Sequence, residues 1–104
     1  MYNNSKHYDE SRSEREKFIE EYIGDGKIIR SFVVDKRHKD GAEIHSITDT
    51  GLIIIRNIYS GKIITKLIAR PNQLNRLYQN IEQSPPKWLI DLAMKHEKLN
   101  YNRK

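Results

Sequence analysis

Four short apolar runs follow one another with almost nothing between them: KIIRSFVVD (27–35), AEIHSIT (42–48), GLIIIRNIY (51–59) and KIITKLIA (62–69). No other feature of the chain restricts its fold as much. Each run is rich in Ile and Val and short enough to be a strand. The dividers are Asp40-Gly41, Asp49-Thr50-Gly51 and Ser60-Gly61. Each supplies a glycine where a tight hairpin needs positive φ. A parallel neighbour would need a crossover of a dozen or more residues, and these connections are far shorter. The runs are therefore predicted to form a four-stranded antiparallel meander.

Helical patterns lie on both sides of the runs. Ser13-Glu14-Arg15-Glu16 fits a capping box. Phe18, Ile19, Tyr22 and Ile23 then recur at helical spacing until Gly24, which suits a left-handed C-terminal position. A short amphipathic helix over 12–23 with an acidic outer face is predicted. Pro71 suits the first turn of a second helix, where its missing N–H costs nothing. Leu74, Leu77, Tyr78 and Ile81 give that helix one apolar stripe. Ser84-Pro85-Pro86 breaks it and caps a third helix, along which Trp88, Leu89, Leu92, Ala93, His96 and Leu99 continue the spacing. The fold class is α+β: an N-terminal helix, a four-stranded antiparallel sheet and two C-terminal helices. A single sheet needs a covered face, and the three apolar stripes can cover it. One domain over 12–100 is expected, between a polar tail (1–11) and a basic one (101–104).

Composition narrows the function. The chain has 104 residues and no cysteine, which excludes disulfides, thiolate metal sites and a cysteine nucleophile. The first residues lack the apolar core of a secretory signal, and no apolar run is long enough to cross a membrane. A cytoplasmic protein is expected. Abundant Ile, Lys, Asn and Tyr have AT-rich codons and point to a bacterial, phage or mobile-element genome. The net charge of +5 is uneven: residues 1–24 hold six acids and four bases, residues 25–104 fifteen bases and eight acids. A basic body favours RNA, DNA or an acidic partner.

The chemistry-bearing residues fall in two groups. In DKRHKDGAEIHSIT (35–48), the loop bases Lys36, Arg37 and Lys39 surround His38, and His45 lies in the following strand. The loop bases suit phosphate contacts. An imidazole in mid-sheet can act as general base or acid, or simply donate a structural hydrogen bond. In ITKLIARP (64–71), Thr65, Lys66 and Arg70 could hold a phosphodiester, Arg as a bidentate fork and Lys as a point charge. Strand alternation puts Glu43, His45 and Ile47 on one face, and separates Thr65 from Lys66. Parity cannot join faces between strands, so His45 could stand beside either. His7 and His96 carry no signal beyond their type. No HxH or HExxH spacing, phosphate-binding loop or nucleophile elbow occurs, so neither metal nor cofactor is expected.

The stretch HKDGAEIHSITDTGLIIIRNIYSGKIITKLIARPNQLNRLY resembles small phage-type nucleases of the barnase–EndoU–colicin–RelE ribonuclease superfamily over about residues 27–82. The resemblance rests on the His45 strand, the isoleucine-rich strand with Asn57, and the segment with Thr65, Lys66 and Arg70. It implies a compact α+β domain and metal-independent RNA cleavage by a toxin or phage effector. His45, Thr65 and Arg70 would be catalytic, with His38 as a further acid–base residue. Lys36, Arg37, Lys39 and Lys66 would bind the nucleic acid. In such a reaction a base takes the 2′-OH proton, cations stabilise the phosphorane and an acid protonates the leaving oxygen. Two further readings stand beside it. The protein could bind nucleic acid without cleaving it, Tyr59, Tyr78 or Trp88 stacking on bases, or inhibit a host or defence protein. It could also self-associate through the outer strands, as a homodimer for example.

Overall fold

The structure is a computed structural model and describes residues 14–35 and 41–102. The expected N-terminal tail, Ser13 of the expected capping box, and Lys36, Arg37, His38 and Lys39 lie outside the described residues. Four strands, β1 (Ile28–Asp35), β2 (Ala42–Thr48), β3 (Leu52–Asn57) and β4 (Ile63–Ile68), form one antiparallel sheet in the order β1-β2-β3-β4. This is the predicted meander, with each strand slightly shorter than or equal to its apolar run. Helix α1 spans residues 14–23, α2 is Pro71–Gln79 and α3 is Lys87–Asn102.

The register sorts the faces that parity left open. Phe32, His45, Ile55 and Thr65 form one row across the sheet, and Arg30, Ile47, Ile53 and Leu67 the next. His45 therefore shares its face with Thr65. Ser31, Ser46, Ile54 and Lys66 form a row on the opposite face. The main core lies on the first side. Phe32, Ile47, Ile53 and Ile55 pack there against Leu74, Leu77 and Tyr78 of α2 and Leu89 and Ala93 of α3. The Phe32 and Tyr78 rings meet edge-on with centroids 5.2 Å apart, a favoured aromatic geometry.

Three apolar stripes on one face were expected, and here the structure differs. Ser46 and Ile54 are buried although they point away from the α2–α3 core. Helix α1 buries Phe18 and Ile19, and Ile19 lines a cleft with Lys66 of that face. Only part of the α1 stripe is spent this way, because Tyr22 is exposed. The last turn of α1, Ile19–Ile23, is a π-helix closed by the Gly24 N–H on the Ile19 carbonyl at 2.7 Å. This wider turn ends at Gly24 with φ +79° and ψ 156°, positive as expected but extended in ψ and so outside the left-handed helical conformation the sequence suggested.

The C-terminal helices also depart from the pattern in detail. Helix α2 stops at Gln79, ahead of Ser84. The Gln83 N–H bonds back to the Tyr78 carbonyl, with Glu82 at φ +55°. A left-handed residue after the last turn thus ends the helix before the prolines can. On α3 the buried line is Leu89, Ala93 and His96, at i, i+4 and i+7. Trp88, one position off that line in the first turn, is 49% exposed, and Leu99 is exposed too. The helix continues to Asn102, into the segment expected as a tail. Among the described residues, no helix is long and apolar enough to cross a membrane.

Candidate nucleic-acid interface

Two hairpin connections point the same way along the sheet. Asp35 and Ala42 are paired where β1 meets β2, and β3 and β4 join through residues 58–62. The sequence between Asp35 and Ala42 is KRHKDG. The β3–β4 turn is built by Asn57, whose Oδ1 accepts the N–H groups of Tyr59 (2.9 Å) and Ser60 (3.0 Å). An Asx side chain folding over the next residues is a local turn device, and it frees Tyr59 from any role in the core. Tyr59 is 83% exposed. Its ring lies against Gly41, where a β-carbon would stand 3.2 Å from the ring carbon Cε2. Gly41 thus lets the two hairpins touch, and its φ of +79° suits a residue without a side chain. Lys62 is exposed on the same turn, and Arg56 is half-buried just before it.

His45 and Glu43 occupy the inner margin of this end. They are two apart on β2 and therefore share a face. Nε2 of His45 donates to Oε1 of Glu43 at 3.2 Å, and both side chains are mostly sheltered, 15% and 21% exposed. A carboxylate can only accept, so this bond puts a hydrogen on Nε2. Sequence reading ranked His45 first and passed over Glu43 as its partner, although the i, i+2 spacing was visible.

The remaining predicted site residues are spread over three places. Thr65 is in the His45 row but two strands away, about 10 Å at normal strand spacing, with Ile55 between. Its hydroxyl accepts from Nη2 of Arg15 at 3.1 Å. Lys66 points to the other face, and its Nζ lies 3.0 Å from Oδ1 of Asp25. Thr65 and Lys66 help line a cleft between α1 and β4 with Glu16, Ile19 and Glu20. Arg70 is exposed just before α2, where Gln73 accepts its backbone N–H at 2.9 Å. It lies five residues beyond Thr65 along an extended strand, about 15 Å, and borders a groove with Asp91, Lys95 and Lys98. The structure thus brings His45 to Glu43 and Thr65 to Arg15, sets Lys66 beside Thr65 along one cleft, and leaves Arg70 apart from both. His38 and the loop bases are outside the described residues.

Among the described residues no cluster of three or more His, Asp or Glu side chains is arranged to hold a metal ion. Two residues that sequence reading passed over have clear structural work. His96 is buried on α3, and its Nε2 donates to the Thr50 carbonyl at 2.9 Å. Arg15 links α1 to the edge of the sheet through Thr65. Comparison of the chain with protein-family models, with curated proteins and with solved structures finds no match. The nuclease resemblance therefore stands on the residues quoted for it.

Proposed function

We propose that this protein binds RNA at the end of the sheet that carries Tyr59. One observation carries the reading: a tyrosine ring 83% exposed, seated on Gly41 at the junction of two hairpins. An exposed ring on a rigid support is a stacking platform, and a stacked base contributes about 1–3 kcal/mol. Lys62 and Arg56 stand on the same hairpin, and KRHK precedes Gly41 in sequence with one residue between them. Cations beside a stacking ring suit a single strand, whose phosphates they can follow. The excess of fifteen bases over eight acids in residues 25–104 supports the same partner.

The test is fluorescence anisotropy of short labelled single-stranded RNAs across a salt series. Affinity should fall with salt, by about 0.7 log units per log unit of salt for each phosphate contacted. Tyr59→Ala should weaken binding by tenfold or more, and Lys62→Ser should reduce the salt slope by about one contact. Binding that ignores salt and survives both changes would overturn the reading.

A second reading, metal-independent RNA cleavage, is favoured by the His45–Glu43 bond beside this end. A carboxylate that orients an imidazole is the usual support of a general base. His45 would take the 2′-oxygen proton, the 2′-oxygen would attack phosphorus, and the 5′-oxygen would leave with a proton from an acid. RNA incubated with the protein in EDTA decides it. Discrete cleavage lost in His45→Ala supports catalysis, and intact RNA alongside measurable binding restricts the function to binding.

A further inference from the structure

The two edges of the sheet are not equivalent. The β4 edge is crossed by α1, which bonds Thr65 through Arg15 and is followed by Asp25 on Lys66. The β1 edge has no second strand among the described residues. It is also apolar where an edge is normally charged: Ile28, Ile29 and Val33 are exposed, Val33 by 63%. A long apolar edge with unpaired backbone groups is a template for another strand.

The outward groups follow from the ladder. The Ala42 carbonyl accepts from the Ile58 N–H, so Ala42 turns its backbone towards β3. Alternation then turns Glu43, His45 and Ile47 towards β1, against Val34, Phe32 and Arg30. Ser31, Val33 and Asp35 are left with N–H and C=O groups facing out. Before them the ladder is irregular, with a bulge between Ile28 and Arg30. Regular pairing is therefore available over 31–35 and is blocked further back, because a bulge ends a ladder.

We propose that β1 pairs antiparallel with β1 of a second copy, Val33 lying on the two-fold axis, so that two sheets join into one of eight strands. This register uses only the regular segment of each strand. Val33 faces its own copy with Ile44 behind it on each side, an apolar row continuous across the axis. On the other face Phe32 meets the partner's Val34. Sliding by two residues towards the N-terminus brings in the bulge, and sliding by one sets Val33 against Ser31.

The association does not depend on RNA binding, and its test is separate. Sedimentation velocity over a dilution series should show a monomer–dimer equilibrium. Val33→Lys, at an exposed position, should raise the dissociation constant at least tenfold with the circular dichroism spectrum unchanged. The chain has no cysteine, so Val33→Cys provides a single reporter. Hydrogen-bonded antiparallel partners stand about 5.5 Å apart at Cα, within disulfide range, so mild oxidation should link two copies. Ser60→Cys, at the exposed β3–β4 turn, should not link. A monomer at every concentration overturns the proposal. So does a dimer that Val33→Lys leaves unchanged, or one that links no faster through residue 33 than through residue 60.

Discussion

The two ends of the sheet are built in opposite ways. At the β2–β3 turn the side chains of Thr48, Asp49 and Thr50 are all held. The Leu52 N–H reaches Thr48 Oγ1 at 3.1 Å, Thr48 lies 2.8 Å from Thr50 Oγ1, and Thr50 donates to the Gly24 carbonyl at 2.8 Å. A hydroxyl has one hydrogen to donate, and Thr50 gives its own to the Gly24 carbonyl, so Thr48 donates to Thr50 and the bonds run one way, from β3 through the turn to the end of α1. Asp49 fastens the same corner by accepting the Lys27 N–H at 2.9 Å. From the other side His96 of α3 donates to the Thr50 carbonyl. At the Tyr59 end the β3–β4 turn is held by its own residues, through Asn57 Oδ1 and Ser60 Oγ, and the aromatic ring above it faces solvent. One end binds three elements together, and the other is the end proposed to meet RNA. Groups already satisfied by the fold have little left to offer a ligand.

Substitutions should divide along that line. Gly51→Ala should have the largest effect. Gly51 has φ +89°, and a β-carbon there would meet His96 Cδ2 at 3.1 Å and Leu92 Cδ2 at 3.3 Å. Left-handed strain and crowding together should cost about 2–4 kcal/mol in urea unfolding. RNA affinity, measured well below the melting temperature, should stay within twofold. Thr48→Val keeps the shape of a fully buried side chain but strands the Leu52 N–H. It should cost about 1–3 kcal/mol, again with affinity unchanged. Asn57→Ala should cost about 1 kcal/mol and also weaken RNA binding, because it releases the turn that seats Tyr59. Tyr59→Ala should move stability by less than about 0.5 kcal/mol while affinity falls at least tenfold. A large loss of stability in Tyr59→Ala, or a large loss of affinity in Thr48→Val, would break the contrast between the ends.

The meander was legible because glycine-bearing dividers and Ile-rich runs leave few alternatives for so short a connection. The stripe of α2 was legible for the same kind of reason, since Leu74, Leu77 and Tyr78 repeat at a single period. What local pattern could not supply was register. His45 could have stood beside Thr65 or Lys66, and only pairing through Ile55 decides between them. The same holds for cover. The hydropathy of Phe18 and Ile19 marks them for burial without saying which face of the sheet they protect. Trp88 shows the reverse error, a large apolar residue at helical spacing that misses the buried line by one position. His96 looked like any other helical histidine, because its partner is a backbone carbonyl 46 residues away. The candidate site residues were recognisable by type. Their grouping depends on long-range contacts that spacing does not encode.

The order of elements has a consequence for how the protein is made. All four strands come before residue 69, and each pairs with its neighbour in sequence, so the sheet can zip up while the chain is still leaving the ribosome. Leu74, Leu77, Tyr78, Leu89 and Ala93, which cover its main face, arrive afterwards. At about 5–20 residues per second, the thirty or so residues of the two closing helices take roughly two to six seconds to synthesise. Through that interval a newborn sheet presents Phe32, Ile47, Ile53 and Ile55 without their cover. Shielding by a chaperone would matter most in those seconds.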